Sequence, residues 1–201
     1  MLKEAMHKSV PELAAIMSIN SSAFGKSARG IDYCHQALLV DGKLLWPAFL
    51  CLLSAKTIGG VNKITIKLGC IMHLISISMH LHHKLPKTVP NTDFAKKIQM
   101  PILMGDLIYS KIFADISRWS LEQYLPMISS LICTIHERLV MPEYEEAELE
   151  ALICETSCYF GAHSVIGRVT AIKRISELGC TLGKANDESS DTKLFPEEQL
   201  C

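Results

Sequence analysis

The sequence has no surplus of positive charge. Its 201 residues carry 20 Lys and Arg against 21 Asp and Glu, so nothing is left over to neutralise a phosphate backbone. That excludes nucleic-acid binding as a general role. The sequence also lacks any C-x-x-C pair. Its eight cysteines are spread singly through apolar text and read as reduced core thiols, which points to the cytoplasm. Long hydrophobic runs are missing too: the longest uncharged apolar stretch, Leu44 to Ala55, is twelve residues and contains Pro47, so no membrane-spanning segment is expected. Met1 to Val10 carries Lys3, Glu4 and Lys8 without an apolar core, and no signal peptide is expected there. Strand-like alternation is scarce, and repeats and low-complexity tracts are absent. What is present is apolar mass: 49% of the residues are hydrophobic, enough for a sizeable core and too much for a disordered chain.

The periodicity is helical throughout. Apolar residues recur at helical spacing, as in Leu121, Tyr124, Leu125, Ile128, Leu131, Ile132 and Ile135. Breaks fall at Asn20–Gly30, Asp41-Gly42, Gly59-Gly60, Lys84–Thr92, Met141-Pro142 and after Gly183. Pro47 suits the first turn of a helix, and Gly59-Gly60 suits its end. These marks predict about seven or eight helices in one all-α domain over residues 1–186. The segment 187–201, with five acids against one Lys, is expected to be an acidic, disordered tail. Val61 to Leu81 holds only Lys63 and Lys67, so a helix there must be central in a bundle or buried in a subunit interface. Ile71 and Leu74 on it, with Leu107 and Ile108 further on, are the expected contacts to a partner chain.

Five segments resemble the trans-polyprenyl diphosphate synthases in order and spacing. Asp41-Gly42-Lys43-Leu44-Leu45-Trp46-Pro47 resembles their G-G-K-R-L-R-P, and Cys70-Ile71-Met72-His73 stands at their E-x-x-H. Ile102-Leu103-Met104-Gly105-Asp106-Leu107 is similar to A-I-L-x-G-D-x-L. Tyr159-Phe160-Gly161-Ala162 resembles L-G-A, and Leu178 to Ala185 resembles F-G-x-x-L-G-x-A. The resemblance implies an all-α helical bundle of the isoprenoid-synthase type. It also implies C-terminal truncation, since a catalytic member would have several helices still to run.

The departures from that pattern fall on the chemistry. In those enzymes Mg²⁺ ions bridged to paired aspartates take up the charge of a leaving diphosphate, which needs hard oxygen ligands close together. The first aspartate-rich motif is occupied here by His80, Leu81 and Lys84, and the second by Ser190, Asp191 and Leu194. The Lys-Thr pair that helps hold the diphosphate falls at Leu149-Glu150. Lys43 survives in the early motif, but the two arginines are Leu44 and Trp46. Such a chain resembles the non-catalytic small subunit of heteromeric hexaprenyl or heptaprenyl diphosphate synthases. That resemblance implies no catalytic or metal-binding residue of its own and Mg²⁺ on a large catalytic partner. It further implies an isoprenoid chain in a shared tunnel and a role in the menaquinone side chain. Met72, Ile75, Ser76 and Met79 are then the tunnel candidates, and Lys43, His80, Lys84 and Asp191 the degenerate motif positions. A stand-alone prenyltransferase is argued against by the missing carboxylates. The alternative is a helical module that binds an isoprenoid or other lipid without a catalytic partner.

Bland readings apply to several conspicuous residues. His73, His80, His82 and His83 could offer two ligands from a helix surface, with a third needed from elsewhere. Asp106 is expected to cap or hydrogen-bond a neighbouring helix start, with Gly105 permitting close helix approach. Cys154 and Cys158 are expected core thiols, and Glu143 to Glu148 an acidic first turn.

Overall fold

In the computed structural model, residues 7–23, 42–83, 92–141, 143, 145–165 and 169–188 are described. Among them are seven α-helices, two short 3-10 turns and no strand. The helices are α1 (Val10–Ala23), α2 (Trp46–Ile58), α3 (Lys63–His83), α4 (Thr92–Arg118), α5 (Leu125–Leu139), α6 (Glu146–Ser164) and α7 (Val169–Glu188). The all-α expectation and the helix count hold. Some boundaries move: α1 runs through the expected break at Asn20, which is buried, and α7 reaches Glu188, into the segment expected to be a tail. Pro86 to Asn91, Lys84 and the second aspartate-rich position, Asp191, lie outside the described residues.

The centre of the bundle is α3. Asn62 caps its start, its Oδ1 accepting from the backbone N–H of Ile64 at 2.8 Å and of Thr65 at 2.9 Å, an arrangement worth about 1 kcal/mol. From Leu68 to Met79 every residue is buried. A helix with apolar residues on all sides is stable in water only if other helices enclose it. Here α1, α2, α4 and α6 do so, with α5 touching it more lightly. The helix is long and apolar enough to cross a membrane by length and composition, a longer run than Leu44 to Ala55. Its burial within the chain's own helices accounts for that composition.

Polar side chains on α3 fix its register against three neighbours. Thr65 and Ser164 of α6 share a hydroxyl hydrogen bond at 2.7 Å. His73 faces Asn20 of α1 at 3.2 Å. The Ser78 hydroxyl donates to the Gly105 carbonyl of α4 at 3.1 Å. Two apolar clusters meet along this helix. One joins α3 to α4, α5 and α6, and the other joins α1 and α2 to Cys70, Cys154 and Cys158.

Pro47 occupies the first turn of α2, and Gly60, at φ +114°, follows its end, as the sequence pattern requires. Two glycines of the resembling segments serve close packing. A methyl on Gly161 would run into the Cys51 carbonyl of α2, and one on Gly183 would meet the Ala151 Cα of α6 at 2.6 Å. Gly161→Ala therefore forces two backbones apart, an overpacking cost of about 1–3 kcal/mol that outweighs the gain in helix propensity. At Gly59, whose φ of −177° is ordinary extended backbone, the added methyl meets the Cγ1 tip of partly exposed Val165, which can turn away. Thermal unfolding should show Gly161→Ala lowering Tm by several degrees and Gly59→Ala changing it little. Equal losses would contradict this account of the packing.

Candidate functional site

The motif positions converge on one cavity. The 3-10 turn Gly42–Leu45 brings Lys43 and Leu44 to it, and the first turn of α2 adds Trp46 and Pro47. The last turns of α3 supply Ser76, Met79 and His80, while α6 supplies Glu146, Glu150, Ile153 and Cys154. The space is about 150 Å³. Lys43, His80 and Glu150 all line it, whereas Leu149 is buried in the core. Its lining includes one ammonium, one imidazole and two carboxylates, besides the Ser76 hydroxyl and the Cys154 thiol, and the Glu146 carboxylate lies 3.1 Å from His83 Nε2. A diphosphate needs clustered cations, and two carboxylates at the same opening repel it.

The remaining sequence-predicted residues divide by burial. Of the four tunnel candidates, Ser76 and Met79 line the cavity, while Met72 and Ile75 are packed in the apolar core. Ile71 and Leu74 are fully buried inside the bundle, because α3 is its centre, and offer no surface to another chain. Ile108 also faces inward. Leu107 is exposed, on one side of α4 with Met100 and Leu103, and Phe113 is exposed further along the helix.

The four histidines of α3 diverge instead of clustering. His80 faces the cavity and His83 pairs with Glu146. His82 stacks on Tyr109 at 5.8 Å and lies edge-on to His136 at 4.9 Å. Its Nε2 is 3.9 Å from Asp106, so that exposed carboxylate stands at the end of α3 and caps no helix start. No group of three metal-binding side chains occurs among the described residues. His73 is wholly buried. Asn20 Nδ2 donates both to the Cys70 carbonyl and to His73 Nδ1, each at 3.2 Å, which puts the imidazole proton on Nε2. Cys154 and Cys158 are buried and unbridged, as expected, and burial pushes the Cys158 thiol up to about 11. Cys133 departs from the core reading and is exposed.

Sequence reasoning missed Trp46 and Glu146 as lining residues. In the sequence Trp46 marks only a lost arginine, and Glu146 only part of an acidic first turn. Their signal was available, since Trp46 stands in the same motif as Lys43 and Glu146 lies one helical turn before Glu150.

The sequence matches no protein-family model and no curated protein. Solved structures do match. A decaprenyl diphosphate synthase from Rhodobacter capsulatus superposes with a TM-score of 0.76 at 15% identity, over 94% of this chain and 64% of that one. A polyprenyl synthase from Caulobacter crescentus, complexed with calcium and isoprenyl diphosphate, gives 0.71 at 16% identity, over 95% and 64%. A deletion mutant of the heterotetrameric geranyl pyrophosphate synthase of mint gives 0.59 at 15%, over 94% and 87%. The fold is that of the isoprenoid synthases. The chain spans less than two thirds of the length of the first two of these structures.

Burial of His73 generates a pH dependence. Desolvation lowers its pKa from 6.5 to about 4, so the unfolded chain binds a proton that the folded chain refuses. The resulting stability is present above pH 6.5 and is lost as pH falls towards about 4, by roughly 3 kcal/mol at the low end. Burial lowers the pKa of His82 and His136 too, which adds in the same direction. Urea unfolding across this window should show stability falling with pH, and a shallower fall in His73→Gln. An unchanged slope in that variant would place the proton uptake elsewhere.

Proposed function

We propose that this chain is a non-catalytic, regulatory small subunit of a heteromeric trans-polyprenyl diphosphate synthase. One observation carries the reading: Lys43, His80 and Glu150, from three separate motif positions, converge on one cavity whose side chains suit neither Mg²⁺ nor a diphosphate. The fold is kept while the chemistry is replaced. A large partner would then supply the paired aspartates, the Mg²⁺ and the diphosphate contacts. The hexaprenyl or heptaprenyl product, the menaquinone side chain and a cytoplasmic setting belong to the same proposal.

The surface of α4 supports a partner. Met100, Leu103, Leu107 and Phe113 are 41%, 60%, 47% and 41% exposed, a run of large apolar side chains that a soluble monomer has reason to cover. The mint synthase, heterotetrameric by its description, shows that this fold is used in mixed assemblies. Ser76 and Met79 are the tunnel candidates that face open space, so any contact of this chain with a prenyl group is proposed to run through them.

The test is co-expression with a catalytic synthase that has both aspartate-rich motifs and is encoded in the same genome. The isolated chain should turn over no allylic diphosphate, and the pair should co-elute and form product. Leu103→Glu with Leu107→Glu should abolish co-elution, because an unpaired ion buried in an interface costs several kcal/mol. Both sites are exposed, so the isolated variant should keep its helical circular dichroism. Turnover by the chain alone, or undiminished pairing of the double variant, would refute the proposal.

A further inference from the structure

Three rings from three helices meet where α3 ends. His82 of α3 stacks on Tyr109 of α4 at 5.8 Å, and His136 of α5 stands edge-on to both, 4.9 Å from His82 and 5.2 Å from Tyr109. His82 is tucked inward. Its side chain is 10% exposed, its Nε2 makes no hydrogen bond, and its ring packs on the backbone of Gly105, where a methyl would strike it. A neutral imidazole tolerates such a setting, whereas an imidazolium needs water or an acceptor for both of its N–H groups. Two imidazoliums at this spacing also repel each other. The charged groups that act on His82 are Asp106 of α4, with Oδ1 3.9 Å from Nε2, and His136 of α5, which Asp106 also influences. The next residue of α3, His83, turns to Glu146 of α6 instead.

We propose that His82, Tyr109 and His136 form a proton-sensitive clasp, which holds the last turns of α5 against α3 and α4 and releases them in acid. Buried Ile128, Leu131 and Ile135 anchor the rest of α5. Past Ile135 the hold is thinner: the ring of His136, partly buried Leu139, and an exposed ion pair of Arg138 with Glu148 at 3.1 Å. Val140 and Met141 beyond them are exposed. A first proton is accommodated, because His82 Nε2 has only to close from 3.9 Å onto Asp106. A second sets the two rings against each other, and His136, partly exposed at the edge of the group, is the one that leaves for water. Burial holds both imidazoles below their ordinary value of 6.5, so the closed clasp refuses protons that the open one takes up. It is therefore closed above that pH and weakens as pH falls below it. The clasp is independent of the partner-subunit reading, since the isolated chain would carry it.

Two measurements on the full chain test it. In an NMR titration of the imidazole Cε1–H signals, His82 and His136 should titrate as a coupled pair in two separated steps below the ordinary imidazole range. Amide exchange, corrected for its intrinsic rate, should show protection at His136 to Leu139 falling about tenfold between about pH 7 and pH 5. Amides at the centre of α3 open only on global unfolding, so they should stay better protected throughout. His136→Phe keeps a ring and removes one titrating group, and should cut the fall at the end of α5 to about threefold or less. Asp106→Asn removes the acceptor for the first proton, so its fall should set in at higher pH. Asp106 is exposed, and that variant decides if His136→Phe fails to fold. Both histidines titrating in one step near the ordinary value would overturn the proposal. So would equal exchange at the end of α5 and the centre of α3, an undiminished fall in His136→Phe, or an unchanged onset in Asp106→Asn.

Discussion

Enclosure of α3 constrains the other helices, because a helix that is apolar on all sides cannot end the apolar cluster on any one of them. Four helices must therefore surround it, and the polar side chains it carries must each find a partner on one of them. Thr65 finds Ser164 on α6, His73 finds Asn20 on α1, and Ser78 finds the Gly105 carbonyl on α4. These contacts set the height and rotation of α3 within the bundle. Its last turns then bring Ser76, Met79 and His80 to the opening between α2 and α6. The cavity is thus a consequence of how the core closes, and the motif glycines at 161 and 183 let α6 come near enough to α2 and α7 to form its wall.

The electrostatics of that opening separate the chain from the enzymes it resembles in fold. Binding a diphosphate through Mg²⁺ requires carboxylates that share metal ions and cations that fork onto phosphate oxygens. Here Lys43, His80 and Glu150 line the opening without an aspartate pair, and Glu146 is engaged with His83. The charged groups partly balance one another. Such a site favours neutral or weakly polar contents over a polyanion.

Much of the fold was legible in the sequence because helical periodicity and its punctuation are local. Pro47 and Gly59-Gly60 bounded α2, and the scarcity of charge after Lys67 marked α3 as enclosed. What the sequence could not settle was which enclosure applied. Composition alone does not tell a bundle centre from a subunit interface, and Ile71 and Leu74 proved to be the former. The exposed apolar face lies instead on α4, whose alternation of Ile108 inward and Leu107 outward is visible only once the helix phase is known. The histidines misled for a similar reason. Residues three and seven apart share a helix face, but neighbours from α1, α5 and α6 drew His73, His82 and His83 to different partners. Trp46 was legible as a departure from a motif and illegible as a cavity wall, since lining is a tertiary property.

The central claim is that the fold of a prenyl diphosphate synthase is retained here around a site that no longer holds its charged substrate. Isothermal titration of the purified chain with geranyl diphosphate, with and without Mg²⁺, tests this most directly. The account predicts no saturable binding in the micromolar range and no effect of Mg²⁺. Micromolar binding that depends on Mg²⁺ and is weakened by replacing His80 or Lys43 would contradict it.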